Sequence, residues 1–562
     1  MHPLDDSPQH ATALRDFRQS VIYQIYPKSF QDSDGDGLGD LPGVSARLDY
    51  LQALGVDYLW LTPFFVSPQR DNGYDVADYR RVDPRFGTMA DVEALIAGAR
   101  ARGMGVMLDM VFNHTSTEHE WFQRALAGER EYQERYIFRA GSPEQPPTNW
   151  QSKFGGSAWA WAPEVGQWYL HLFDVTQADL NWDNPAVRRE LQDVVRFWLQ
   201  KGVAGFRFDV VNLISKPDVL EDDPAGDGRR FYTDGPRVHE YLHELSRETG
   251  LAQAVTVGEM SSTSVEHCIL YTQPQRGELN MVFNFHHLKV DYAGGDKWTL
   301  MPPDFLELKR ILFGWQQAMS DAGGWMATFW GNHDQPRPAS RFGSDDPRYR
   351  PAAAKMLATA GLLLRGTPYI FQGEELGLPN TRFGSIHDYR DVESHNAYAI
   401  MRERGLTDAQ ALDVLAARSR DQARTPMRWT PEGGFSTAVP WLADPHAGAS
   451  GLSVQEQLAD PQSVLHHYRA LIALHHQPLF AYGEIEPLLP EHEQLLAYRR
   501  VAGDEAALVL CNFSAAEVAV PLDLPDGAGL LLGNLPDAAP RVAEGQGTLT
   551  LRPYEAVVYR LS

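Results

Sequence analysis

The stretch Gly205-Phe206-Arg207-Phe208-Asp209 reads as a short strand. Residues two apart on a strand point to the same side. Arg207 and Asp209 therefore share one face, and Phe206 and Phe208 the other. An arginine beside an aspartate keeps the carboxylate charged, and a charged, oriented carboxylate at a strand end suits a nucleophile on a barrel rim. The pentapeptide alone is equally well read as a structural ion pair, so its surroundings must decide.

Upstream, Asn184 is placed to cap a helix with Pro185 in its first turn. Val187, Leu191, Val194, Trp198 and Leu199 form its apolar side, and Gly202 ends it. Before it, the chain from about Thr115 to Asp179 is rich in Trp, Gly, Pro and charge without clean alternation, and reads as an insertion. Further back lie strand-like runs at Val21–Pro27, Val56–Thr62 and Gly105–Val111. Between them, Val44, Leu48, Leu51 and Leu54 predict one helix ending at Gly55, and Val92, Leu95, Ile96 and Ala99 another closed by Gly103. Downstream, further strands are predicted at Val255–Glu259, Asn280–Phe285, Ala327–Trp330 and Pro368–Gln372.

Strands alternating with helices predict an α/β fold, a (β/α)8 TIM barrel whose active site lies at the C-terminal strand ends. From about Glu484 the runs Leu495–Val501, Ala506–Asn512, Val518–Leu524 and Val557–Leu561 predict a small antiparallel β-domain. The expected organisation is a barrel over 1–114 and 180–483, an inserted domain over 115–179, and a C-terminal β-domain over 484–562.

The chain has 562 residues, with 74 acidic against 50 basic side chains and a formal net charge of −24. That balance argues against nucleic acid and anionic membrane surfaces as partners. An anionic substrate would need a local basic pocket. Cys268 and Cys511 are the only cysteines, so neither a disulfide framework nor a thiolate metal site is implied. The segment from Met1 to about Ser20 lacks the apolar core of a signal peptide, and the longest apolar run, Met356 to Phe371, carries Arg365. A cytoplasmic protein is expected.

Asp32, Asp34, Asp36 and Asp40 alternate with glycines in a loop that suits a hard cation. The loop begins like an EF-hand, but the twelfth position, which that motif fills with Glu, is Gly43. A different Ca2+ loop is expected; a solvated acidic turn is the alternative.

At the predicted strand ends stand His114, Arg207, Asp209, Glu259, His333 and Asp334. Carboxylates there suit glycoside cleavage, in which a retaining enzyme needs a nucleophile and a general acid. Asp209 fits the nucleophile. Glu259 fits the acid, kept protonated by burial and nearby negative charge. Asp334 would bind sugar hydroxyls and favour a distorted ring, and the histidines would donate to the same sugar.

The motifs DMVFNH (Asp109–His114), GFRFDVVN (Gly205–Asn212), VGE (Val257–Glu259) and WGNHDQPR (Trp330–Arg337) resemble the signature regions of the α-amylase family of glycoside hydrolases. QADLNW (Gln177–Trp182) resembles the extra signature of its oligo-1,6-glucosidase branch, although that branch commonly has Pro where Ala178 stands. The resemblance implies an α-retaining, exo-acting enzyme without an organic cofactor, and a monomer is expected. It implies that Asp334 stabilises the transition state and that Asp71, Tyr74, His114, Arg207, His333 and Arg424 bind the terminal glucose, with Phe154 and Phe173 as walls. It further implies a structural Ca2+ held by Asp32, Asp34, Asp36, Asp40 and the Leu38 carbonyl. Val210 resembles enzymes that accept α-1,6 links.

Longer stretches, among them NWQSKFGGSAWAW (149–161), DGRRFYTDGPRVHEYL (227–242) and FNFHHLKVDYAGGDKW (283–298), resemble the group within that branch that cleaves trehalose 6-phosphate to glucose and glucose 6-phosphate, usually after phosphotransferase uptake. His286, His287, Lys289 and Lys297 form a basic cluster after the sixth strand run. Lys289 and Lys297 are the expected phosphate ligands, with ordinary surface charge as the alternative. The alternative activity is an oligo-1,6-glucosidase or α-glucosidase acting on neutral α-glucosides such as isomaltose. A non-catalytic transporter subunit is disfavoured, because such chains carry a membrane helix and lose the carboxylates.

Overall fold

The computed structural model describes residues 14–224, 226–446, 448–522, 524–525, 527–537 and 549–561. The first thirteen positions of the polar N-terminal segment, and parts of the predicted C-terminal β-domain, lie outside the described residues.

Strands β1 (Ile22–Ile25), β2 (Tyr58–Leu61), β3 (Gly105–Met110), β4 (Gly205–Phe208), β5 (Val255–Glu259), β6 (Met281–Phe283), β7 (Ala327–Thr328) and β8 (Thr367–Phe371) form one 8-stranded sheet. All pairings are parallel and follow chain order, with β8 beside β1. A parallel bridge between Val282 and Met326 joins the two free edges. The sheet is thus a (β/α)8 barrel, and every predicted strand run contains or overlaps its observed strand. The β-branched and aromatic residues of those runs are buried on both sides, as parallel strands covered by helices require.

One helix prediction fails. The segment expected as a single helix ending at Gly55 is two, Leu41–Ala46 and Leu48–Leu54. Arg47 between them has φ −107° and ψ 9°. Its guanidinium is drawn away to Gln31 Oε1 and over the Trp429 ring, 4.0 Å from the centroid. Sequence periodicity cannot see that tether.

On β4, Gly205 is sterically required, since a Cβ there would meet Met107 Cγ at 2.6 Å and the Val255 carbonyl oxygen at 2.7 Å. Arg207 stands in register with Asp109 of β3. The Asp209 N–H donates to the Met110 carbonyl at 3.0 Å, extending the ladder by one residue. Val210 then turns left-handed, at φ 35° and ψ 40°, into the 3-10 turn Val211–Leu213. A β-branched residue there costs on the order of 1–3 kcal/mol, and the sharp turn aims Asp209 out of the strand end.

Between β3 and β4 the chain leaves the barrel. Phe138–Ala140, Trp159–Ala162 and Gln167–Leu170 form an antiparallel sheet, and His114–Ser116 pairs with Gln177–Asp179 at its base. Buried Asp179 fixes that base. It pairs with Lys216 at 2.7 Å and accepts from Asn113 Nδ2 at 3.1 Å and the Leu172 N–H at 3.0 Å.

The C-terminal part holds a 5-stranded antiparallel sheet beginning at Glu484–Leu488 and a smaller pair, Val518–Val520 with Leu549–Leu551. Buried Arg500 ties it to the barrel, donating to the Leu363 carbonyl at 2.6 Å and the Gly483 carbonyl at 2.6 Å. Among the described residues, no helix is long and apolar enough to cross a membrane.

Candidate active site

The site is built from the strand ends upward. Arg207, 1% exposed, bridges the acids of three adjacent strands. Its Nη1 donates to Asp109 Oδ1 and Asp209 Oδ1, each at 2.6 Å, and Nη2 contacts Glu259. Burial works against charge on Arg207, but Asp109 and Asp209 outweigh it and hold the guanidinium charged. The pair read from the opening stretch is therefore part of a larger cluster.

Asp109 is the member that sequence reading left without a role. It lies inside the β3 run rather than at its end, which hid it. A signal was present: a lone acid in the apolar run Gly105–Met110 is costly without a partner, and the next strand supplies a lone arginine. Burial pushes the Asp109 carboxyl up to about 7, against the pull of Arg207. Its other oxygen accepts from Tyr74 Oη at 2.8 Å. For Glu259, the expectation of a protonated acid counted only burial and negative charge. The structure sets a guanidinium at its side, a neighbour missing from that expectation.

A cavity of about 200 Å3 opens above these residues. Asp209, Glu259 and Asp334 line it together with Asp71, Tyr74 and His114, and Phe154 and Phe173 form an aromatic wall. Arg207, His333 and Arg424 lie behind that lining and act through it. His333 is fully buried, stacks on the Tyr74 ring (5.1 Å, 4°) and meets Asp334 Oδ2 at 3.2 Å through Nε2. Burial lowers both His114 and His333, which favours neutral rings at pH 7. Arg424 donates from Nη2 to Asp334 Oδ1 at 2.7 Å and from Nε to the His333 carbonyl at 2.9 Å. Burial works against charge on Asp334, but His333, Arg420 and Arg424 outweigh it and hold the carboxyl well below the usual range.

Arg420 and Gln177 line the cavity without having been assigned a role from sequence. Arg420 joins Asp71 (3.0 Å), Asp334 (3.3 Å) and Asp391 (2.6 Å) on one guanidinium. It sits four residues before Arg424, in the same short segment. Gln177 Nε2 donates to Asp71 Oδ2 at 3.1 Å and the Tyr74 carbonyl at 3.2 Å. Burial pushes Asp71 up to about 7, although Arg420 and Arg424 pull it down.

The lysines separate. Lys297 lines the cavity but is bound to Glu393 at 2.6 Å. Lys289 does not line it and ends the 3-10 turn His286–Lys289.

The aspartate loop lies apart from this cavity. One carboxylate oxygen from each of Asp32, Asp34 and Asp40 lies within 4.8 Å of the others. Asp36 is outside that group, its Oδ1 accepting from the Leu38 N–H at 2.7 Å. Burial opposes charge at Asp32, but the Ser436 hydroxyl and the N–H groups of Gly35, Gly37 and Asp34 outweigh it and hold the carboxyl below its usual range.

Acids on adjacent strand ends around a sugar-sized cavity define a glycosidase-like centre, and sequence comparison agrees. Residues 24–483 match the family description "Alpha amylase, catalytic domain", and residues 485–558 match "Maltogenic Amylase, C-terminal domain". The chain belongs to the α-amylase family of glycoside hydrolases. It is 52% identical over 550 residues to the trehalose-6-phosphate hydrolase of Escherichia coli (strain K12), covering 96% of this chain and 98% of that one. It is 43% identical over 563 residues to the oligo-1,6-glucosidase of Parageobacillus thermoglucosidasius, covering 97% and 99%. The solved structure of a Bacillus licheniformis trehalose-6-phosphate hydrolase superimposes with a TM-score of 0.91 at 49% identity, covering 97% and 99%.

Proposed function

We propose that this chain is a retaining, exo-acting α-glucosidase that hydrolyses trehalose 6-phosphate to glucose and glucose 6-phosphate. The observation that carries the chemistry is that Asp209, Glu259 and Asp334 line one cavity, with Asp209 held on the buried guanidinium of Arg207. Retaining glycosidases hold their two carboxyl groups about 5–5.5 Å apart, and Asp209 and Glu259 stand at the ends of adjacent, paired strands. An oxygen of Asp209 attacks the anomeric carbon of the terminal glucose while Glu259 gives its proton to the departing glycosidic oxygen. Glucose 6-phosphate leaves. Water, giving its proton to Glu259, then cleaves the glycosyl ester, releasing glucose and restoring both carboxyl groups.

Asp334, held charged by Arg424 and His333, binds ring hydroxyls and favours the distorted, cation-like transition state. Asp71 and the neutral His114 hold the same sugar, with Phe154 and Phe173 against its faces. Arg420 positions Asp71 and Asp334 relative to each other.

A structural Ca2+ belongs to the same reading. The oxygens of Asp32, Asp34 and Asp40 are hard donors that lie within 4.8 Å of one another and would hold one such ion. The carbonyl of Leu38 is a further ligand in this reading. A bound cation would neutralise the cluster and fix the loop beside Thr437 and Val439, which already crowd Gly35 and Gly37. A cytoplasmic site of action follows from a charged sugar phosphate that does not cross membranes unaided.

The test is hydrolysis of trehalose 6-phosphate, trehalose and isomaltose by the purified protein. Preference for the phosphorylated sugar supports the reading. Efficient cleavage of isomaltose with little of trehalose 6-phosphate would establish the neutral glucosidase instead.

A further inference from the structure

The pairing of β4 with β5 runs as far as Phe208 opposite Gly258, one residue short of Asp209 and Glu259. Beyond that point the two chains part. Val210 turns left-handed at φ 35°, and Ser262, three residues past Glu259, does so at φ 57°. The nucleophile and the acid therefore need a link other than the strand ladder, because misplacing a reacting group by about 1 Å can cost about 100-fold in rate.

Asn212 supplies that link. It is fully buried in the turn Val211–Leu213, three residues after Asp209. Its Oδ1 accepts from the Ser261 N–H at 2.9 Å, and its Nδ2 donates to the Ser261 carbonyl at 2.9 Å. One side-chain amide thus takes both backbone groups of the residue two past Glu259, as the next residue of a strand would. Nδ2 donates also to Asp234 Oδ1 at 3.1 Å. The amide can face only one way, since the reverse would set its oxygen against two acceptors.

Asp234 completes the clamp. Its N–H donates to the Asn212 carbonyl at 2.9 Å. Its Oδ1 accepts from Tyr271 Oη at 2.8 Å, and its Oδ2 from Thr263 Oγ1 at 2.8 Å. The loop that follows Glu259 is held at Ser261 by Asn212 and at Thr263 by Asp234, and these two holders bind each other. Asp234 itself is left-handed, at φ 50°. Side-chain-bearing residues keep that conformation where their surroundings over-determine it, as the bonds around Asp234 and Ser262 do.

We propose that Asn212, backed by Asp234, is a positioning residue: it fixes the loop of the acid Glu259 to the turn of the nucleophile Asp209, and so sets where the proton meets the glycosidic oxygen. This rests on the catalytic roles assigned above but not on the identity of the substrate. A buried asparagine that only stabilised the fold would, once removed, weaken every substrate alike. One that positions the acid matters in proportion to the leaving group's need for a proton.

The experiment measures kcat/KM on the parent, Asn212→Ala and Thr263→Val. One substrate is α-glucosyl fluoride, whose fluoride departs with little help from an acid. The other is whichever of trehalose 6-phosphate and isomaltose the parent cleaves faster, since the sugar leaving group of either needs the proton. For both, kcat/KM reports the step that forms the glycosyl ester. In Asn212→Ala the disaccharide value falls about 100-fold or more and the fluoride value less than about 10-fold. Thr263→Val, which keeps the side-chain shape and cuts only the second tie, lowers the ratio of disaccharide to fluoride about 3-fold or more. If Asn212→Ala yields no folded protein, Thr263→Val decides alone. A ratio within about 2-fold of the parent's in every folded variant overturns the assignment; equal losses on both substrates give that result. A parent that cleaves isomaltose but not trehalose 6-phosphate overturns the substrate reading alone, and the isomaltose ratio then decides the role of Asn212. A parent that cleaves neither overturns both.

Discussion

Arg207 shows how far one residue can be read. Its partnership with Asp209 is visible in five residues of sequence, because strand alternation puts them on one face. Its contacts with Asp109 and Glu259 come from neighbouring strands and need the barrel register. Arg424 is implied by the family resemblance, whereas the value of Arg420, four residues earlier, lies in Asp71, Asp334 and Asp391, distant in sequence. Asp209→Asn should lower turnover by about 10^4-fold or more while the thermal transition stays near the parent's; activity close to normal contradicts its role as nucleophile.

Among the elements, the barrel strands were legible because buried parallel strands read as short β-branched runs, and each has its helix partner nearby in sequence. The inserted segment was not, since its strands are short and partly exposed and are held by side chains such as Asp179. The aspartate loop is legible as a candidate cation loop, and in the fold one oxygen each of Asp32, Asp34 and Asp40 come within 4.8 Å of one another. Asp34 is the informative position, being exposed and accepting the Asp36 N–H at 3.2 Å. If the loop binds Ca2+, adding the ion to chelated protein should raise Tm. Asp34→Ala should abolish that rise while changing the Tm of chelated protein by little. A Tm indifferent to chelator and Ca2+ contradicts the metal assignment.

At the scale of the molecule, the apolar core does not stop at the barrel. The same buried cluster that contains Ile22, Trp60 and Phe206 continues through Leu496, Tyr498, Val509 and Val558 of the C-terminal sheet. Tyr498 Oη also donates to the Ala360 carbonyl at 3.1 Å, beside the Arg500 anchor. A change of composition near Glu484 marks where the sheet begins but says nothing about this continuity. The barrel and C-terminal sheet should therefore unfold together, giving one calorimetric endotherm. Two resolved endotherms would show that the interface is weaker than its packing implies.

The central claim is that an acidic molecule has built a glucosidase cavity that acts on a phosphorylated disaccharide. The most direct measurement is kcat/KM of the purified protein for trehalose 6-phosphate against isomaltose under identical conditions. The account predicts a preference for trehalose 6-phosphate of about 100-fold or more, the worth of one or two charge-assisted hydrogen bonds. Equal or better hydrolysis of isomaltose would contradict it.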